Sequence, residues 1–357
     1  MDELALFVIN MKMSFRWYGD SDPVRIKYIG QIPGMQSVVS AVYDTPAGET
    51  WSKSSIAHIK SQAEKVGLSF DVVESVPLHE DIKLGKPSRD KLIANYCENI
   101  ASLGKAGVKV ICYNFMPVFD WTRTQLDKIN EDGSTTLVYY AEQLKGKNPL
   151  SDDLSLPGWD SSYTKENLKS LFGDYAKISK KDLWKNLEYF LKKIMPIAEK
   201  YKVKMAIHPD DPPWDIFGLP RLITCEKNLD RFLKLVDSPY NTLAFCTGSL
   251  GCADFNDVPK LIDKYANAKK ISFIHIRNVK LLGGASFEET AHYSPCGSLD
   301  IVEICKALHK NKFDGYIRPD HGRMIWGEAG KPGYGLFDRA LGAMYITGIW
   351  EALEKNV

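Results

Sequence analysis

The densest group of potentially reactive side chains lies between residues 313 and 340, after a short apolar run. Tyr316 and Ile317 have the pattern of a buried strand, and a turn follows that carries Arg318, Asp320, His321 and Arg323. Tyr334 comes after a loop rich in glycine and proline. Reactive groups on a loop that a strand holds in place are typical of an active-site rim. A salt-bridged surface loop would have the same composition, so these residues alone leave both interpretations open.

Four strands predicted in the second half of the chain end at side chains of metal-binding type: His208, Cys246, His275 and Asp320. In a parallel barrel the carboxyl ends of the strands share one mouth, and neighbouring strands lie a little under ~5 Å apart. Each residue alone has a structural explanation, as a turn cap, a core cysteine, a core histidine or an ion-pair partner. Four of them at equivalent strand ends favour a metal site.

The donor set also restricts the kind of metal. Nitrogen, sulfur and oxygen donors together suit Mn²⁺, Fe²⁺, Co²⁺ or Zn²⁺ better than Mg²⁺ or Ca²⁺, which prefer oxygen alone. The donors are scattered along the chain rather than grouped in close pairs, which argues against a structural zinc site. We therefore expect a catalytic ion with an open coordination position for the substrate.

Residues beside these donors suggest what the site binds. Arg16, at the end of the first predicted strand, and Arg277 could bind a carboxylate, and Asn114 ends the fourth strand. Asp210 lies in a stiff, proline-containing loop that could bind hydroxyl groups or could be purely structural. Polar and charged throughout, the predicted mouth suits a small polyhydroxy acid rather than an apolar ligand.

The elements that would position these residues alternate in type. Short, β-branched apolar runs are predicted as strands at 13–17, 37–42, 69–74, 108–113, 204–207, 242–245, 271–274 and 315–317. Helical patterns lie at 53–66, 88–103, 183–201, 225–236, 258–265, 299–310 and 336–354. Eight such units predict an α/β fold, a (β/α)8 TIM barrel. A doubly wound sheet would rarely have eight units, and no G-x-G-x-x-G follows the first strand.

Residues 11–357 are predicted to form one barrel domain with a partly helical insertion after its fourth strand. The insertion, residues 120–180, is polar and weakly periodic with several turn signals, and it could serve as a lid. Residues 1–10 are predicted to be an N-terminal extension with no assigned role.

Composition excludes several classes of protein. The 357 residues carry a formal net charge of +1, which indicates neither a nucleic-acid nor a membrane partner. No apolar run is long enough to span a bilayer, and the acidic start of the chain does not fit a signal peptide. The seven cysteines include no C-x-x-C pair, which indicates a reducing, cytoplasmic setting.

Several stretches carry a family resemblance that extends from Met11 nearly to the end of the chain. They are MKMSFRWYG (11–19), IPGMQSVVSAVYD (32–44), ICYNFMPVFDWTRT (111–124), IHPDDPPWDIFGLPR (207–221), FCTGSLG (245–251), IHIRNVK (274–280), HYSPCGSLD (292–300) and RPDHGRMIWGEAGKPGYGLFDRALGAMYITGIWEALE (318–354). Together they resemble mannonate dehydratase, a sugar-acid lyase.

The resemblance implies a xylose-isomerase-like barrel that requires Mn²⁺ or Fe²⁺, forms a homodimer and acts in hexuronate breakdown. The implied reaction removes water from D-mannonate to give 2-keto-3-deoxy-D-gluconate. The family's metal positions fall on the four donors named above, and its acid/base region falls on Asp320, His321 and Tyr334. Our hypothesis makes His321 the base at C2 and Tyr334 the acid at the C3 hydroxyl, with the reverse assignment open.

Predicted substrate contacts are Arg16, Asn114, Asp210, Arg277 and Tyr334. Two rival functions are an isomerase or epimerase on the same barrel and a catalytically silent sugar-acid sensor. A sensor would be expected to lack some of the ligand or acid/base residues, and all of them are present here.

Overall fold

The computed structural model describes residues 11–150 and 164–356. Its strands are β1 (Lys12–Arg16), β2 (Ser37–Ser40), β3 (Ser69–Glu74), β4 (Val110–Tyr113), β5 (Gln125–Ile129), β6 (Thr135–Tyr139), β7 (Lys204–Ile207), β8 (Asn241–Cys246), β9 (Ile271–Ile276), β10 (Val279–Gly283), β11 (Ser286–Glu289) and β12 (Tyr316–Pro319). Eight of these strands form a closed parallel barrel in the order β1, β12, β9, β8, β7, β4, β3, β2.

Helices surround the barrel. They are α1 (Ile26–Ile29), α2 (Lys53–Glu64), α3 (Glu80–Leu84), α4 (Arg89–Ala106), α5 (Ala141–Leu144), α6 (Lys165–Tyr175), α7 (Lys180–Tyr201), α8 (Glu226–Leu235), α9 (Thr247–Gly251), α10 (Val258–Asn267), α11 (Ile301–Lys310) and α12 (Phe337–Glu354), with a 3-10 turn at Ser294–Cys296. In the ranges that the structure describes, no helix is long and apolar enough to cross a membrane.

The predicted fold class is confirmed. Each of the eight predicted strands is a barrel strand, with ends that differ by at most two residues from the prediction. β8 and β9 run further than predicted, so that Cys246 and His275 lie within the last residues of their strands rather than after them.

Strand alternation explains how the barrel carries a site. A buried cluster inside the barrel consists of Val39, Val72, Val110, Cys112, Ala206, Ala244, Phe273 and Tyr316. Because successive side chains of a strand point to opposite faces, the residue two positions further along points inward again. This step leads from Ala206 to His208, from Ala244 to Cys246 and from Phe273 to His275, so the donors lie one layer nearer the carboxyl ends.

The main hydrophobic core lies between the barrel and its helices. Helix α7 shows how the sequence builds it: Leu187, Phe190 and Ile194 recur on one stripe and are fully buried. The helix begins at a capping box in which Ser179 and Asp182 each accept a hydrogen bond from the other's backbone amide.

The predicted insertion contains strands as well as helices. β5 and β6 pair as an antiparallel hairpin around a turn at Gly133, whose φ is +79°. β6 also pairs with β11, so a second sheet forms in the order β10, β11, β6, β5. A role for the insertion as a lid stays a prediction, and its residues 151–163, like the extension 1–10, lie outside the described residues.

Candidate active site

A cavity of about 200 Å³ lies at the carboxyl ends of the barrel strands. Most of the predicted site residues line it, namely Arg16, Asn114, His208, Arg277, Asp320, His321 and Tyr334. Cys246 and His275 are fully buried and do not line the cavity, but each has a ligand atom within 4.8 Å of one from His208, which does. Residues far apart in sequence therefore meet at one mouth.

Three of the four predicted metal ligands converge. One ligand atom each from His208, Cys246 and His275 lies within 4.8 Å of the other two. Nε2 of His208 is 3.2 Å from Nδ1 of His275, and Sγ of Cys246 is 3.6 Å from Oδ2 of Asp320. The fourth predicted ligand therefore lies next to the group, on the side of the sulfur.

Hydrogen bonds determine which ring nitrogens of His208 and His275 carry a lone pair. Nδ1 of His208 lies 2.6 Å from the carbonyl oxygen of Pro209, which can only accept, so Nε2 carries the lone pair. Nδ1 of His275 lies 3.3 Å from a guanidinium nitrogen of Arg318, which can only donate, so this nitrogen also carries a lone pair. Two lone pairs that face each other at 3.2 Å fit a cation between them.

The chemistry of the donors fits a borderline divalent ion. Burial raises the pKa of Cys246 to about 12, so a bound cation would be needed to favour its thiolate. A second group, Glu74, Cys112 and His275, is equally close together. Two guanidiniums already neutralise Glu74, so the first group is the better candidate for an ion.

Glu74 lies between two arginines at the end of β3. Arg318 donates to both of its carboxylate oxygens, at 3.1 and 3.0 Å, and Nη1 of Arg16 is 3.1 Å from Oε2. Burial alone would raise the pKa of Glu74, but Arg318 and Arg16 outweigh it and hold the pKa well below its usual range. The carboxylate orients both guanidiniums at the cavity.

A second ion-pair network surrounds Arg277, another residue that lines the cavity. Arg277 donates to Asp211 at 2.7 Å and to Nε2 of His321 at 2.7 Å. Arg123 pairs with both oxygens of Asp211, at 2.8 and 3.2 Å, and with Glu289 at 2.6 Å. Each of these side chains is nearly or fully buried. The network fixes the positions of Arg277 and His321.

His321 and Tyr334 lie side by side at the cavity wall, with ring centroids 5.0 Å apart. Burial raises the pKa of Tyr334 well above its usual value, so the phenol keeps its proton. Tyr18 packs edge-on against Tyr334 at 5.1 Å. A phenol that keeps its proton and an imidazole whose Nε2 accepts a hydrogen bond from Arg277, and so carries no proton, therefore face the same space.

Comparison with known proteins identifies the family. A family model described as D-mannonate dehydratase (UxuA) matches residues 11–357. The chain belongs to the mannonate dehydratase family. The resemblance stated from the sequence is thereby confirmed, and with it the assignment to the hydro-lyases that the family name describes.

Relatives match over nearly their whole length. The chain is 54% identical over 345 residues to mannonate dehydratase 2 of Halalkalibacterium halodurans, covering 97% of this chain and 100% of the relative. It is 53% identical over 346 residues to a mannonate dehydratase of Streptococcus agalactiae, covering 97% and 99%. A crystal structure of mannonate dehydratase from Streptococcus suis superposes with a TM-score of 0.91 at 48% identity, covering 97% of this chain and 95% of that one.

The fold is shared more widely. D-psicose 3-epimerase from Clostridium cellulolyticum superposes with a TM-score of 0.56 at 16% identity, covering 97% of this chain and 98% of that one. At this identity the likeness shows the TIM-barrel fold and nothing about the reaction.

One predicted substrate contact lies elsewhere in this member of the mannonate dehydratase family. Asp210 is not among the residues that line the cavity, because its carboxylate accepts hydrogen bonds from the backbone amides of Leu222 and Ile223, at 2.8 and 2.5 Å. Its neighbour Asp211 lines the cavity instead. In the loop after β7, Asp210 therefore stabilises the loop itself, and Asp211 binds Arg277.

Sequence reasoning missed several residues of the network. Glu74 is the last residue of β3, a position similar to that of His208 after β7. Listing the residues at the strand ends of the first half, as was done for the second half, would have found it. Arg123 and Glu289 had no such signal, because neither lies in a barrel strand.

Proposed function

We propose that this chain eliminates water from D-mannonate to give 2-keto-3-deoxy-D-gluconate. The observation that carries the proposal is the convergence of nitrogen and sulfur donors below a cavity whose wall holds His321 and Tyr334. Membership of the mannonate dehydratase family supports the same reaction. The substrate is a small sugar acid, which suits a cavity of about 200 Å³ lined by guanidiniums and other polar groups.

The proposed cofactor is Mn²⁺ or Fe²⁺, held by His208, Cys246, His275 and Asp320. When bound, the ion supplies a Lewis acid that stabilises negative charge on the substrate carboxylate and an adjacent hydroxyl. Burial of Cys246, His275 and Asp320 limits exchange of the ion with solvent. The guanidinium of Arg318 orients the carboxylate of Asp320 through a hydrogen bond of 2.6 Å.

The residues of the chain then have distinct tasks. Arg16 and Arg277 attract the substrate carboxylate and orient it. Nε2 of His321 takes the proton from C2, and the phenol of Tyr334 gives a proton to the C3 hydroxyl, which leaves as water. The electrons of the C2–H bond form the enol double bond as the C3–O bond breaks. The enol then gains a proton at C3 and loses the proton of its C2 hydroxyl, which gives the 2-keto acid.

Product identification separates this function from an isomerase or epimerase on the same barrel. Mn²⁺-loaded protein would be incubated with D-mannonate, and the products followed by proton NMR. We expect a methylene signal from C3 of the 2-keto-3-deoxy acid. An epimeric aldonate or a ketose without a methylene group at C3 would overturn the dehydratase proposal.

The proposed setting is hexuronate catabolism in the cytoplasm, with the chain acting as a homodimer. Support for a second copy comes from the outer face of α12, where Phe337, Leu341 and Met344 are exposed. Trp326, 73% exposed, packs on Phe337 with ring centroids 5.5 Å apart. Contiguous exposed apolar side chains of this kind mark interaction surfaces.

A further inference from the structure

Glu289 is a buried carboxylate that does not line the cavity but touches a residue that does. It is the last residue of β11, in the second sheet, and is 1% exposed. Its Oε2 contacts Nδ1 of His321, and its Oε1 accepts from Nε of Arg123 at 2.8 Å. The second sheet therefore contributes a side chain that contacts the imidazole of His321.

We propose that Glu289 is a positioning residue that fixes the tautomer and orientation of His321 for proton abstraction. The inference rests on the proposed function, in which His321 is the base. An ionised carboxylate can only accept a hydrogen bond, so the contact requires the proton of the neutral imidazole to be on Nδ1. Nε2 is then left with its lone pair.

The other side of the ring points to the same tautomer independently. Nη1 of Arg277 lies 2.7 Å from Nε2 of His321, and a guanidinium can only donate. Arg277 and Asp320 both line the cavity, whereas Glu289 does not, so Nε2 is the nitrogen on the substrate side. A base oriented by a third group in this way is a recurrent arrangement in catalysis.

Arg123 keeps Glu289 ionised. Burial alone would raise the pKa of Glu289, but the hydrogen bond from His321 and the positive charge of Arg123 outweigh it, and the pKa stays below its usual value. Arg123 also pairs with Asp211, which holds Arg277. One buried arginine thus supports the groups on both sides of the imidazole.

The test compares Glu289→Gln with Glu288→Gln. Glu288 is the preceding residue of β11, and its carboxylate binds Lys128 at 3.1 Å and Tyr140 at 2.5 Å rather than His321. For Glu289→Gln we expect kcat for 2-keto acid formation to fall about 10²-fold, with KM and bound Mn²⁺ unchanged. For Glu288→Gln we expect kcat within about twofold of wild type, because Glu288 does not contact His321.

A kinetic isotope effect distinguishes positioning from mere support of the fold. With D-mannonate deuterated at C2, the isotope effect on kcat should rise in Glu289→Gln, because a misoriented base makes proton abstraction slower relative to other steps. Loss of folded protein would lower kcat and leave the isotope effect unchanged. That outcome, or a kcat within about threefold of wild type, would overturn the inference.

Glu289→Asp is a second variant, which tests the inference even if Glu289→Gln does not fold. It keeps the charge beside Arg123 but shortens the side chain, so the contact with His321 is weakened while the ion pair is retained. We expect a fall in kcat of about tenfold and a raised isotope effect. If wild type itself forms no 2-keto acid, the proposed function fails and this inference fails with it; an active wild type with unaffected Glu289 variants rejects the inference alone.

Discussion

His321 and Tyr334 face the same space, but one can accept a proton and the other can donate one. The phenol is protonated because burial raises its pKa, and the imidazole presents an unprotonated nitrogen because its proton lies on the far side of the ring. This difference supports the assignment of Tyr334 as acid and His321 as base over the reverse.

Replacing either residue should slow the reaction without unfolding the protein. We expect His321→Asn and Tyr334→Phe each to lower kcat by about 10²–10⁴-fold, the usual contribution of one acid or base. Steady-state assays of 2-keto acid formation give kcat, and circular dichroism checks the fold. If both variants stay within about threefold of wild type, the assignment is wrong.

Cys246 should matter for metal retention more than for folding. In Cys246→Ser we expect less bound Mn²⁺ after dialysis, measured by elemental analysis, because a hydroxyl is a weaker ligand than a thiolate. The control is Cys305→Ser, which changes a fully buried cysteine of α11 that does not line the cavity. Equal Mn²⁺ content in the two variants would contradict a role for Cys246 as a ligand.

At the level of secondary structure, the second sheet carries a residue of the site. Its packing centres on Phe287, which is fully buried and stacks on Tyr139 with ring centroids 5.7 Å apart. Phe287 immediately precedes the pair Glu288 and Glu289 in β11. The position of Glu289 therefore depends on how well this sheet packs.

Phe287→Ala should destabilise the protein and lower its activity together. We expect a loss of about 3–5 kcal/mol in the free energy of unfolding, measured with urea, as for other buried phenylalanines. Ile129→Ala in β5 is the matched control, because Ile129 is 73% exposed and should cost within about 0.5 kcal/mol. Similar losses in the two variants would show that the sheet does not pack as described.

The barrel strands were predictable because each is a short apolar run in the sequence and a largely buried strand in the structure. β5 was not, because it is partly exposed and its sequence, QLDKI, has no regular alternation of apolar and polar residues. The contact between Arg123 and Glu289 joins residues 166 positions apart, one in the insertion after β4 and the other in β11, between β9 and β12. No local pattern encodes such a pair, nor does one decide which of Asp210 and Asp211 faces the cavity.

For the whole molecule, the exposed face of α12 bears on assembly. We expect wild type to be a dimer by light scattering after size exclusion, and Leu341→Glu to be monomeric, because a carboxylate would be buried at the apolar contact. Leu282→Glu, at a similarly exposed leucine of β10, should remain dimeric. A monomeric wild type, or a dimeric Leu341→Glu, would contradict the proposed interface.

Metal reconstitution tests the central claim most directly. The protein would be stripped with chelator and titrated with Mn²⁺, while bound metal and 2-keto acid formation from D-mannonate are measured on the same samples. We predict no 2-keto acid without metal, and a rate that rises in proportion to bound Mn²⁺ until each chain holds one ion. Full activity in the stripped protein, or no 2-keto acid with Mn²⁺ tightly bound, would contradict a metal-dependent dehydratase at this site.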